Sequence, residues 1–77
     1  MKSLFHYSRI ILLHQNGRFA GNKKVSLRFN NGETRENITD QAGEAYIRHR
    51  SKGEAKIYVN GCELGFAIMP SVNEYLI

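Results

Sequence analysis

The chain has one cysteine, one proline and no tryptophan in 77 residues, and each scarcity excludes something. A lone Cys62 cannot form an intramolecular disulfide, so the fold must hold without covalent staples and needs no oxidising compartment. Cys62 itself is expected to be a partly buried, small apolar residue rather than a reactive thiol. The apolar run Ile10-Ile11-Leu12-Leu13 is too short to span a membrane. Behind Met1-Lys2-Ser3-Leu4-Phe5 it is also too short for a leader core, and no small-residue cleavage site follows. The expectation is a soluble chain, cytoplasmic by default. There is no G-x-S-x-G, no glycine-rich phosphate loop and no paired-carboxylate motif, so an enzyme is not expected, nor a cofactor or small-molecule substrate. No linker, low-complexity tract or internal repeat divides the chain, which reads as one domain over 1–77.

What is present is ordinary for a small globule: 42% hydrophobic and 23% charged residues, too apolar for a disordered segment. A chain this short buries only about 60% of its unfolded surface, which disfavours a deep enclosed site. Eleven Lys and Arg against seven Asp and Glu give a net charge of +4. That balance draws a protein toward polyanions or acidic protein faces, but it also serves plain solubility.

Glycine punctuates the chain about every ten residues, at Gly17, Gly21, Gly32, Gly43, Gly53, Gly61 and Gly65. Short strands between turn signals at that spacing predict a sandwich or barrel. The pairs Asn16-Gly17, Asn31-Gly32 and Asn60-Gly61 are hairpin chemistry, because Asn and Gly tolerate positive φ. The predicted strands are Tyr7 to His14, Lys24 to Asn30, Glu33 to Ile38, Glu44 to His49, Glu54 to Asn60, Glu63 to Met69 and Val72 to Leu76. In the second, Val25, Leu27 and Phe29 alternate with Lys24, Ser26 and Arg28, which places one face inward. The fifth repeats this with Ala55, Ile57 and Val59.

Two hairpin registers follow. Closing the second and third strands with Asn31-Gly32 pairs Val25 with Ile38 and Leu27 with Glu36. That makes the third an edge strand, with Glu33, Arg35 and Glu36 discouraging unwanted pairing. Matching apolar faces of the fourth and fifth sets Ile47 opposite Ile57 and Ala45 opposite Val59, with a Ser51-Lys52-Gly53 loop. The outer face of that hairpin would then gather Tyr46, Arg48, Lys56 and Tyr58, with Arg50 and Lys52 at its tip.

The segments Asn16-Gly17-Arg18-Phe19-Ala20-Gly21, Val25-Ser26-Leu27, Thr39-Asp40-Gln41-Ala42-Gly43-Glu44-Ala45 and Gly53-Glu54-Ala55-Lys56-Ile57-Tyr58-Val59-Asn60-Gly61 carry a resemblance. Together they resemble the bacterial immunoglobulin-like and transthyretin-like (prealbumin-like) modules, including carboxypeptidase-regulatory-like domains. Those modules run through a first strand, a G-x-P-x-x-G turn, a V-x-L strand, a T-D-x-x-G-x-A turn and a G-x-Y-x-V-x-x-x-G strand. The similarity covers roughly residues 9 to 70, with Phe19 where Pro is common and Pro70-Ser71 for the usual Pro-Gly. It implies a small antiparallel sandwich of about seven strands, immunoglobulin-like or prealbumin-like. It also implies a non-enzymatic role, such as adhesion or assembly with protein partners.

The Thr39-Asp40-x-x-Gly43 turn is predicted to be structural: the Asp40 carboxylate accepts nearby backbone N–H groups and Gly43 takes the left-handed position. A calcium role for Asp40 would need several more oxygens than the neighbouring sequence offers. His6, His14 and His49 lack metal-ligand spacing, so no metal is expected. The expected function is therefore a protein-interaction or structural module that docks a protein partner or its own copy through an edge strand or outer sheet. The alternative is a basic nucleic-acid-binding domain using Tyr46, Arg48, Lys56 and Tyr58, whose rings stack bases while the cations meet phosphates.

Overall fold

The computed structural model describes residues 5–77; Met1 to Leu4, on which the leader reading drew, lie outside the described residues. Seven strands follow in order: β1 (His6–Leu13), β2 (Lys24–Phe29), β3 (Thr34–Ile38), β4 (Glu44–His49), β5 (Gly53–Val59), β6 (Cys62–Met69) and β7 (Val72–Leu76). Among the described residues no helix is long and apolar enough to cross a membrane. The strands form a small all-β sandwich of two sheets, ordered β4-β1-β7 and β3-β2-β5-β6.

Alternation explains which residues fill it. From the four-stranded sheet Val25, Leu27, Phe29, Ala55, Ile57 and Val59 point inward, joined by Met69. From the three-stranded sheet Ile10, Leu12, Ala45 and Ile47 meet them. Burying alternate side chains from both sheets supplies most of the stabilisation of so small a domain, at about 25 cal/mol per Å² of apolar surface.

Three expectations are corrected. The sandwich is not wholly antiparallel, because β1 and β7 pair in parallel, Arg9 opposite Val72 and Leu13 opposite Leu76. Parallel neighbours need a long crossover, and the chain from β2 to β6 supplies it. Second, β4 and β5 are not a hairpin. Ile47 pairs with Ser8 in one sheet, whereas Ile57 pairs with Leu27 in the other. Their apolar sets belong to opposed inner faces of one core, and the Ser51-Lys52 stretch is a corner between sheets. Third, the β2–β3 register is one residue away from the expected one: Lys24 pairs with Ile38 and Val25 with Asn37. The third strand is nonetheless an edge strand.

The cause of that slip is the turn. Phe29 N–H donates to Glu33 C=O at 2.8 Å and Gly32 N–H to Phe29 C=O at 3.0 Å, enclosing Asn30-Asn31-Gly32 rather than Asn31-Gly32 alone. The same construction recurs twice. His14 and Arg18 enclose Gln15-Asn16-Gly17, and Asp40 and Glu44 enclose Gln41-Ala42-Gly43. In each, glycine at the third loop position has positive φ, the three-residue solution with a glycine bulge. Asn60-Gly61 instead closes as a two-residue loop, both residues with positive φ between the paired Val59 and Cys62.

Candidate binding faces

The Thr39 to Gly43 corner ties together two of the connections that cross between the sheets, β1 to β2 and β3 to β4. The buried Thr39 hydroxyl donates to Ala20 C=O at 2.7 Å and accepts from Lys23 N–H at 2.9 Å. Asp40 Oδ1 accepts the N–H groups of Ala42 and Glu44 at 2.9 and 3.0 Å. Gly43 has φ +72, and a Cβ there would stand 2.4 Å from Leu12 O. The Asp40 oxygen is thus engaged with backbone donors, and among the described residues no cluster of His, Cys, Asp and Glu could hold a metal.

Because β4 and β5 lie in different sheets, the expected face of Tyr46, Arg48, Lys56 and Tyr58 does not exist as one surface. Side chains of Tyr46 and Arg48 project from the outer side of the three-stranded sheet; those of Lys56 and Tyr58 project from the opposite side of the sandwich. Arg50 continues the first group and exposed Lys52 sits in the corner between sheets.

On the four-stranded face, the Arg28 guanidinium lies 4.7 Å from the Tyr58 ring centroid. Lys56 stands between Arg28 and the exposed Phe66. On the three-stranded face the pairing His6 with His49 sets Tyr7 beside Arg48 and Arg9 beside Tyr46. The Arg48 and Arg50 guanidinium carbons lie 4.3 and 5.0 Å from the centroid of one ring, Phe5. Arg9 lies 5.7 Å from the Tyr46 centroid, donates to its hydroxyl at 3.3 Å and pairs with Glu44 at 3.1 Å. The bond to Tyr46 holds the Arg9 guanidinium above its ordinary pKa against the opposing effect of desolvation, and Glu44 adds to the rise.

Phe5, Tyr7 and Arg9 were missing from the expected face. Their alternation with Ser8 and Ile10 marks them as outward, but only the β1–β4 pairing puts them beside Tyr46 and Arg48. Glu33 does more than guard an edge. It reaches across the sandwich: Oε2 accepts Arg50 N–H at 2.9 Å and Arg35 Nε at 2.7 Å, while Oε1 accepts Ser51 N–H and hydroxyl. Desolvation alone would raise its pKa, but the bonds from the Ser51 hydroxyl, Arg50, Arg35 and Ser51 N–H outweigh it and hold the carboxyl at about 2.

The histidines part company. His6 and His49 rings lie 6.0 Å apart, and His14 sits at the far end of β1. His49 is fully buried against Phe29, its Nδ1 at 2.8 Å from Ser51 O and its Nε2 at 2.7 Å from Ser8 Oγ. A carbonyl only accepts, so Nδ1 carries the proton and Nε2 takes the Ser8 hydroxyl hydrogen in the neutral ring. Cys62 is exposed rather than partly buried, because it follows directly on the projecting Asn60-Gly61 turn.

Comparison with known protein families and with curated proteins found no match to this chain.

Proposed function

We propose that this chain is a non-enzymatic protein-interaction module of the transthyretin-like or immunoglobulin-like kind, which takes an extended partner segment along the free edge of β7. The strand order favours the transthyretin-like side of that resemblance. An immunoglobulin constant domain groups strands ABED and CFG, whereas here the first strand lies between the fourth and seventh. The Ser8 and His49 pair, 1% and 0% exposed, is sealed from any substrate, which supports a non-enzymatic role.

The two sheets have four edges, β3, β6, β4 and β7, and they differ in how they are covered. The β3 and β4 edges are tied to each other, with Asn37 Nδ2 donating to Tyr46 C=O at 2.8 Å and Glu33 gripping Arg50 and Ser51. The β6 edge is interrupted by a register shift opposite Ile57 and Tyr58, where Gly65 sits. Among the described residues, none covers the β7 edge in this way. Ser71 C=O and Ile77 N–H engage β1, so by strand alternation Val72, Glu74 and Leu76 turn their N–H and C=O groups outward. Val72 and Leu76 are each 58% exposed. Such an edge is a template for an added strand. A twofold pairing of two copies centred on Glu74 would oppose two like charges, which favours a different partner, one with a basic residue between apolar ones.

The test is an NMR titration with an extended peptide bearing Lys between two apolar positions. Shifts and slowed exchange at the Val72, Glu74 and Leu76 amides support the proposal, and Glu74→Pro, which removes an outward N–H, abolishes them. A peptide that perturbs only other edges, or none, overturns it.

A further inference from the structure

We infer that the outer face of the three-stranded sheet is a separate binding site for single-stranded nucleic acid. The residues are Phe5, Tyr7, Arg9, Tyr46, Arg48 and Arg50. They alternate along two adjacent antiparallel strands, so all six project from one side. Tyr7 and Tyr46 are 65% and 52% exposed. Among the described residues the Arg48 and Arg50 guanidinium groups make no salt bridge, Glu33 holding only the Arg50 backbone N–H, and both gather over Phe5.

The two acids on this sheet face stand away from that pair. Glu44 is engaged with Arg9, and Glu74 lies next to Ile11 toward the apolar end of Leu13 and Leu76. Two like guanidinium charges within one ring's reach repel each other, and an anion between them relieves that repulsion. Phosphate fits the fork of a guanidinium, and bases stack on exposed tyrosine rings at a site that needs no pocket. An acidic protein face would satisfy the arginines but would leave the tyrosine rings without a stacking partner. This distinguishes nucleic acid from a mere polyanion, and it lies beyond the β7 edge reading, since it uses the sheet's face at the opposite strand.

The experiment measures binding of a labelled oligothymidylate and of heparin by fluorescence anisotropy at two salt concentrations. Oligothymidylate binding should weaken with salt, and Arg48→Ala with Arg50→Ala should reduce the salt dependence. Tyr7→Ala or Tyr46→Ala should weaken it by about fivefold or more while leaving heparin binding unchanged. Lys56→Ala with Tyr58→Ala, on the other side of the sandwich, should change oligothymidylate binding little. The assignment is overturned if no binding occurs at low salt, if the tyrosine variants bind oligothymidylate as the parent does, or if the Lys56 and Tyr58 changes weaken it equally. Circular dichroism of each variant checks that these exposed substitutions leave the fold intact.

Discussion

Glu33 and Ser51 stand 18 residues apart, and one Glu33 oxygen accepts both the Ser51 N–H at 2.9 Å and the Ser51 hydroxyl. With Arg50 N–H on the other oxygen, the carboxylate fastens the rim of β3 to the corner that carries the chain from one sheet to the other. It is the side-chain clamp at the point where Arg50 leaves β4.

That clamp sets an acid sensitivity. The folded carboxyl ionises at about 2 against an ordinary 4.5, so folding favours the ionised form. Its contribution is fully present above the ordinary value and is lost as pH falls from 4.5 toward 2. Urea melts across that window should show a loss of stability that Glu33→Gln lacks. The variant itself should cost about 1 to 2 kcal/mol at neutral pH, allowing for partial solvent screening. Parallel acid titrations of the two proteins would contradict the clamp.

Two glycines of the same turn construction should respond differently to alanine. Gly43→Ala would force a Cβ to 2.4 Å from Leu12 O at φ +72, whereas Gly17, at φ +86, has nothing within 4 Å of its added Cβ. Gly17→Ala should cost about 1 kcal/mol from backbone strain alone. Gly43→Ala should cost about 2 to 5 kcal/mol, since displaced backbone adds to the strain. Equal midpoints in chemical denaturation would show that the Leu12 contact yields freely.

The strands themselves were legible because Val25, Leu27 and Phe29, or Ala55, Ile57 and Val59, alternate cleanly with polar residues. Their partners were not. Ala45 and Ile47 face Ile57 and Val59 whether the strands are neighbours in one sheet or opposed across the core, and alternation is identical in the two cases. The candidate face depended on that choice, so Tyr46 and Tyr58 fell on opposite sides. Turn length was equally ambiguous: Asn31-Gly32 and Asn60-Gly61 read alike, yet the first sits in a three-residue loop where the Asn31 side chain accepts Glu33 N–H. In the second, the Asn60 side chain accepts Lys24 N–H from the neighbouring strand instead. Such partners, distant in sequence, decide what local chemistry leaves open.

The buried Ser8 and His49 pair predicts a tautomer. Ser8 Oγ gives its hydrogen to His49 Nε2 and accepts Ser71 N–H at 3.2 Å, so one hydroxyl joins β1, β4 and the start of β7. Long-range nitrogen–proton NMR should find the neutral ring protonated at Nδ1. Ser8→Ala strands a ring nitrogen and a backbone N–H in the interior and should cost about 1 to 3 kcal/mol. A ring protonated at Nε2 would reverse the direction of the chain of bonds.

Thr39 separates the value of a hydroxyl from that of a methyl at the corner. Its oxygen is both donor to Ala20 C=O and acceptor from Lys23 N–H, and the residue is only 4% exposed. Thr39→Val keeps shape and volume but leaves two backbone groups of the β1–β2 connection, Ala20 C=O and Lys23 N–H, without a partner. It should cost about 2 to 4 kcal/mol. Thr39→Ser keeps both bonds and gives up one methyl, about 1 kcal/mol. The order Thr, Ser, Val in denaturation midpoints therefore marks a corner held by hydrogen bonds. The order Thr, Val, Ser would mean that packing of the methyl holds it, with water satisfying Ala20 and Lys23.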